Sequence, residues 1–220
     1  GDKIPSIEEI TVKSLKGDGD FRSEECIELL KQADIVVTNP PYSLFREYVA
    51  QLIEYDKKFL IIGNANSITY KEIFPLIQNN CIWLGYNCVR WFEIPGGDLF
   101  EAARSFWYTN LEHSKRNEDL LLYCSYKKED YPEYENYQAI EVSKTKNIPM
   151  DYDGVMGVPI TFLDKYNPNQ FEILGSDTQI KDGDLPDLIK EDWIGKIDRA
   201  YLNGKRMYSR VFIKNKKVVA

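Results

Sequence analysis

The run Ala33-Asp34-Ile35-Val36-Val37-Thr38-Asn39-Pro40-Pro41-Tyr42 constrains this chain more than any other stretch. Ile35, Val36 and Val37 form a short continuous apolar run, the pattern of a parallel strand covered on both faces. The strand has to stop at Pro40-Pro41, because neither ring nitrogen has a hydrogen to give to a ladder. The Asn39 amide, the Pro40 carbonyl and the Tyr42 ring are therefore expected at the carboxyl end of a strand. That edge is where open α/β sheets take their ligands. Two fixed acceptors beside an aromatic face suit a flat base carrying an exocyclic amino group.

The flanks supply the rest of an α/β sheet. Gly17-Asp18-Gly19-Asp20-Phe21 reads as a turn, and Ser23 as the cap of a helix with Glu24 and Glu25 in its first turn. After the prolines, Ser43 is the expected cap of a second helix. In it Leu44, Phe45, Tyr48, Val49, Leu52 and Ile53 recur at spacings of three and four. Lys58 to Gly63 is a second buried strand. Ser67 or Thr69 opens a third helix toward Ile77, with a kink or early stop at Pro75, and Cys81 to Tyr86 is a third strand. The alternation predicts right-handed crossovers between parallel strands. Upstream, Ile10-Thr11-Val12 is a short strand candidate.

Beyond residue 87 the pattern changes. Pro95-Gly96-Gly97-Asp98 is a loop, and Ser105 to Thr109 and Leu120 to Tyr123 are strand candidates joined by a charged loop. Residues 127–137 read as irregular, and Ile140 to Val142 as a very short strand. Two further strand candidates lie between Gly154 and Gly175. Asn203-Gly204 between strand-like runs is a strong hairpin signal, with a second arm expected to continue to Ile213. This divides the chain into an α/β part over residues 1–126 and a β-rich extension over 127–220.

Composition excludes several chemistries. His113 is the single histidine, so neither a His-rich metal site nor a Ser-His-Asp triad is expected, although one histidine is enough for a base; no metal is expected. Cys26, Cys81, Cys88 and Cys124 show no C-x-x-C pairing, as in a reduced, cytoplasmic chain. No apolar run approaches the roughly eighteen residues of a membrane span, and Gly1 to Pro5 has no signal-peptide pattern. The net charge of −7 opposes a nucleic-acid partner, but its distribution does not. Lys196 to Lys217 carries eight basic residues against Asp198 alone. Lys205, Arg206 and Arg210 alternate there with Tyr201, Tyr208 and Phe212, either as a solvated face or, the favoured reading, as a DNA contact. Lys115 and Arg116 form a smaller basic loop with the same two readings.

Asn39-Pro40-Pro41-Tyr42 resembles the catalytic motif of the amino-group methyltransferases that use S-adenosylmethionine (AdoMet). The resemblance implies that Asn39 and Pro40 accept hydrogen bonds from the target amino group while Tyr42 stacks on the base. It also implies that Asp20 and Phe21 hold the cofactor's adenine, and that Phe106 or Trp107 walls the other side of the target base. The chemistry fits those roles. The N6 lone pair of adenine is delocalised into the ring, and acceptors at its hydrogens favour a geometry that turns it toward the methyl donor. Residues 17–64, 154–175 and Phe106 to Leu111 resemble, more narrowly, the EcoRI-type adenine-specific modification methylases. That implies a Rossmann-like core, a β-rich DNA-contacting extension and N6-methylation of an adenine flipped from double-stranded DNA, in the prokaryotic cytoplasm, within restriction-modification. In that family a cofactor loop precedes the Gly17–Phe21 turn. Sixteen residues precede Gly17 here, with no Gly-rich strand-turn-helix among them, so the core is expected to be incomplete at its N-terminus. The same acceptor pair also serves a protein glutamine amide or an RNA base, and a truncated chain would bind DNA without turnover.

Overall fold

The computed structural model describes residues 14–93 and 96–219; the expected strand at residues 10–12 lies outside them. Helix α1 (Glu24–Gln32) starts at Ser23, whose hydroxyl accepts from the Cys26 N–H at 3.3 Å, as expected. It leads into β1 (Ile35–Thr38) and then the two prolines. A 3-10 turn over Tyr42–Leu44 follows, closed by the Leu44 N–H on the Pro41 carbonyl at 3.0 Å. That turn displaces the start of α2 (Phe45–Glu54), so Leu44 and not Ser43 stands at the cap position, with no side-chain bond.

Strand β2 (Lys58–Asn64) pairs parallel with β1. A 3-10 turn over Ala65–Thr69 then precedes α3 (Phe74–Gln78). The third helix is thus shorter than expected, and Pro75 opens it instead of ending it. A missing N–H costs nothing in a helix's first turn. Strands β3 (Trp83–Glu93) and β4 (Leu99–Thr109) form a long hairpin.

The first sheet has the order β1-β2-β4-β3. The reading of the three strands as one α/β sheet with crossovers is thus corrected in one respect: they are not all neighbours. β4 is antiparallel to both neighbours and lies between β2 and β3, because the second arm of the hairpin takes the place beside β2. A second correction concerns β1. Ile35 is 51% and Val37 64% exposed, so the strand is not covered on both faces; among the described residues only β2 pairs with it.

The second sheet has the order β5-β6-β10-β7, from β5 (Ile140–Glu141), β6 (Met156–Pro159), β7 (Phe171–Ser176) and, after the elements named next, β10 (Arg210–Asn215). Between the last two lie α4 (Asp177–Lys181), opened by a Ser176–Gln179 capping box, and the small hairpin β8 (Tyr201–Leu202) and β9 (Lys205–Arg206). Asn203 and Gly204 turn that hairpin with φ of 51° and 69°, as a two-residue turn requires. Its second arm stops at Arg206, and β10 is a separate strand in the other sheet, contrary to expectation. Leu120 to Tyr123 is not a strand either. The Gln170 side chain takes both main-chain groups of Leu120, accepting its N–H at 2.6 Å and donating to its carbonyl at 2.8 Å.

The result is a mixed α/β chain with two mixed sheets. One buried apolar cluster runs through both, from Phe45, Phe59, Ile61 and Tyr108 to Met156, Phe171 and Val211. Gln78 stitches α3 to the second sheet by donating to the Leu174 carbonyl at 2.8 Å. Among the described residues no helix is long and apolar enough to cross a membrane.

Candidate active site at the carboxyl edge of the first sheet

The Asn39–Tyr42 corner leaves the end of β1 with Pro40 buried and Asn39 and Tyr42 exposed. The Tyr42 phenol reaches the Ser105 hydroxyl at 2.7 Å. Ser105 is fully buried in β4 and pairs in register with Asn64, the last residue of β2. The ring is thereby fixed over the carboxyl edge of the parallel pair. Behind it, Phe45 packs edge-on against Tyr108 at 4.9 Å, and the Tyr108 hydroxyl donates to the Asn64 carbonyl at 2.8 Å. Gly63 permits this closeness: a Cβ there would stand 2.7 Å from Phe45 Cζ and 2.9 Å from Tyr108 Cε2. A single methyl group would push α2, and with it the corner, off the sheet.

Beside the corner, the Gly17–Phe21 turn docks on α2. The Phe21 ring meets Tyr48 edge-on at 5.0 Å, and the Phe21 carbonyl accepts from Gln51 Nε2 at 3.2 Å. The Asp20 carboxylate is engaged by Arg22, at 2.7 Å from Nη2 and 2.9 Å from the Arg22 N–H. That hydrogen bonding holds the Asp20 carboxyl at about 2, below its ordinary 3.8. Phe21, Leu29, Ile35, Val36, Tyr48 and Gln51 line an apolar groove of about 350 Å³. Gln51 Oε1 is buried and has no hydrogen-bond partner among the described residues. An apolar slot with an aromatic wall and one orphaned acceptor fits a purine that carries an amino group, so these residues fit the adenine end of AdoMet.

The remaining expected site residues fall differently. Phe106 is 4% exposed, and Trp107 lies against Gly85, so Phe106 gives no open aromatic wall. Lys205 and Arg206 are exposed on the small hairpin, with Arg206 2.5 Å from Asp198. Lys115 is committed to Asp164 at 2.9 Å and to the Tyr86 carbonyl at 3.0 Å. The expectation that Arg210 and Arg116 reach DNA is corrected. Arg210 is buried and grips Glu141 through Nε at 2.9 Å and Nη2 at 2.8 Å. Arg116 is buried with its guanidinium 3.4 Å from the Trp83 ring centre, bonded to Glu112 and Asn80. Both serve the interior, where an arginine without its anion is costly.

Two residues of the site escaped the sequence reading. Gln51 had a signal: it follows Tyr48 by three positions on a helix and so shares its face. Ser105 had none, because its role depends on β4 entering beside β2.

A strand ending in Asn-Pro-Pro-Tyr, an anchored exposed tyrosine and an adjacent apolar slot suit the chemistry of an amino-group methyltransferase. The family described as "Adenine-specific methyltransferase EcoRI" matches residues 1–216. The chain is 48% identical to the Type II methyltransferase M.EcoRI of Escherichia coli, over 96% of this chain and 66% of that protein. It is 39% identical to the Type II methyltransferase M.MgeORF184P of Mycoplasma genitalium, over 95% of this chain and 73% of that protein. For the Type II methyltransferase M.MpnI of Mycoplasma pneumoniae the identity is 37%, over 96% and 73%. No solved structure matches. The chain belongs to the EcoRI-type family of adenine-specific type II DNA methyltransferases. It spans slightly less than two-thirds of the length of M.EcoRI, at 66%.

Proposed function

We propose that this chain carries the target-base half of an enzyme that moves a methyl group from AdoMet to N6 of an adenine flipped out of double-stranded DNA, within restriction-modification. Asn39 and Pro40 accept from the N6 hydrogens, Tyr42 stacks on the base, and AdoMet supplies the methyl group on a sulfonium. Phe21 faces the cofactor's adenine, Gln51 Oε1 accepts from its amino group, and Asp20 holds the turn through Arg22. We read the first sheet as part of a Rossmann-like core, and residues 127–220 as a β-rich extension that meets DNA at Lys205 and Arg206. Membership of the family supports DNA as the substrate, ahead of an RNA base or a protein glutamine, and its bacterial relatives support our reading of a prokaryotic, cytoplasmic enzyme.

One observation carries this reading: the exposed Tyr42 ring is anchored by Ser105 three residues after the exposed Asn39, at the sheet's carboxyl edge. Such a rigid acceptor-and-ring pair positions a flat substrate without a general base. The test is Asn39→Ala. Methyl incorporation into DNA should fall by roughly a hundredfold or more, the loss typical of removing one preorganised polar partner, while DNA affinity stays near that of the parent. Near-parental methylation by the variant would overturn the assignment.

A further inference from the structure

We propose that Arg104 is a phosphate-binding residue that seats a phosphodiester flanking the target adenine, on the adenine's own strand. The proposal rests on the DNA reading above and extends it to a residue outside the motif.

Four observations converge on it. Seven of the eight arginines stand within ion-pair distance of a carboxylate: Arg22, Arg46, Arg90, Arg116, Arg199, Arg206 and Arg210. Arg104 is the exception among the described residues, in a chain whose net charge is −7. It is exposed, and its guanidinium carbon lies 5.1 Å from the centre of the Phe106 ring, which steadies the group without using its N–H donors. It lines a groove of about 210 Å³ together with Asn64, Asn66, Phe106 and Thr161, so further polar side chains border the same space. Finally, its place is set by the site. Arg104 immediately precedes Ser105, the residue that anchors Tyr42, and Ser105 is level with the last residue of β2.

A planar guanidinium with free donors, held at the rim of a base-accepting edge, matches the paired oxygens of a phosphodiester. The register of β4 against β3 shifts over residues 102–104, and Arg104 there turns onto the Phe106 ring, on the face of β4 opposite its neighbour Ser105. A DNA strand lying across that edge therefore has its target base on the Tyr42 side and a neighbouring phosphate on the Arg104 side. Such a contact sets register and carries no sequence information. The same chemistry would suit a carboxylate, that of AdoMet included, and the test separates the two.

The site methylated by the chain is first located in plasmid DNA by N6-methyladenine sequencing. Short duplexes bearing that site are then titrated against the parent chain, Arg104→Ala and Arg104→Lys at several salt concentrations. One set of duplexes carries a neutral methylphosphonate at each phosphate flanking the target adenine in turn. Arg104→Ala should bind roughly tenfold more weakly, with a salt slope smaller by about one, and Arg104→Lys should recover much of the slope. One methylphosphonate should weaken the parent and leave Arg104→Ala unaffected. Parental affinity and slope in Arg104→Ala, with DNA methylation by the parent intact, would overturn this proposal alone. So would a loss of AdoMet affinity in Arg104→Ala measured without DNA. A parent chain that neither binds nor methylates DNA would overturn the underlying reading as well.

Discussion

The Tyr42 phenol and the Ser105 hydroxyl meet at 2.7 Å although they lie 63 residues apart in the chain. This bond ties the Pro-Pro corner to the strand that the topology inserts beside β2. It separates two properties of Tyr42, its ring and its orientation. Tyr42→Phe keeps the ring and loses the anchor; Tyr42→Ala loses both. The first should cost about 1 kcal/mol in kcat/KM, the second a further 1–3 kcal/mol, the usual worth of stacking a base on an aromatic side chain. Steady-state methylation of one duplex by both variants gives the comparison, and equal losses would remove stacking from the account.

Gln51 offers a test of the proposed cofactor slot that does not depend on turnover. Its Oε1 is buried and unpartnered among the described residues, while its Nε2 is spent on the Phe21 carbonyl. Gln51→Leu removes the orphaned acceptor and keeps the apolar wall. Calorimetry should show AdoMet affinity reduced by about 1–2 kcal/mol, with S-adenosylhomocysteine weakened in parallel because it has the same adenine. Unchanged affinity for both would move the adenine elsewhere.

The basic residues of the extension should split into two behaviours. Arg210 is buried against Glu141, which also accepts from the Tyr134 hydroxyl. Arg210→Met strands that carboxylate and should lower unfolding free energy by about 3–5 kcal/mol. Arg206→Ala and Lys205→Ala, at exposed positions, should change stability by no more than about 0.5 kcal/mol while reducing the salt slope of DNA binding. Denaturant melts set beside binding titrations distinguish the two groups.

Asp177 gives stability a pH dependence of definite sign. It is buried at the start of α4, and that burial raises its pKa above the ordinary 3.8, against the opposing Arg210 N–H, Arg199 and Ser209. The folded chain keeps this proton to a higher pH than the unfolded chain does. Its contribution is therefore full below the unfolded value and falls as pH rises through the folded one. In Asp177→Asn that fall is absent. Melts at about pH 4 and about pH 7 should show the variant gaining on the parent at the higher pH. Asp20 runs the other way: Arg22 holds it at about 2, so its pair contributes above 3.8 and is lost as pH falls through about 2.

What could be read in the sequence was what neighbouring residues determine. The Asn39–Tyr42 corner, the Ser23 cap and the Asn203-Gly204 turn each depend on a few consecutive residues, and each stands where expected. What could not be read depends on distant segments choosing each other. β4 displaced β3 from the place beside β2, and only then does Ser105 reach Tyr42. Charge was legible as a sum and illegible as a surface. Lys205 and Arg210 are alike in sequence, yet a carboxylate far upstream draws only Arg210 inside. Pro75 was read as an obstacle because its position relative to the helix start was set by the turn before it.

The paired prolines behind Asn39 also determine how the site can be watched. Neither Pro40 nor Pro41 carries an amide hydrogen, so amide exchange and amide-detected resonance are blank across the middle of the corner. Ordering of the site by a ligand would register instead through the Asn39 side-chain amide and the Tyr42 ring. Both are exposed, and both stand on the groups assigned to the substrate.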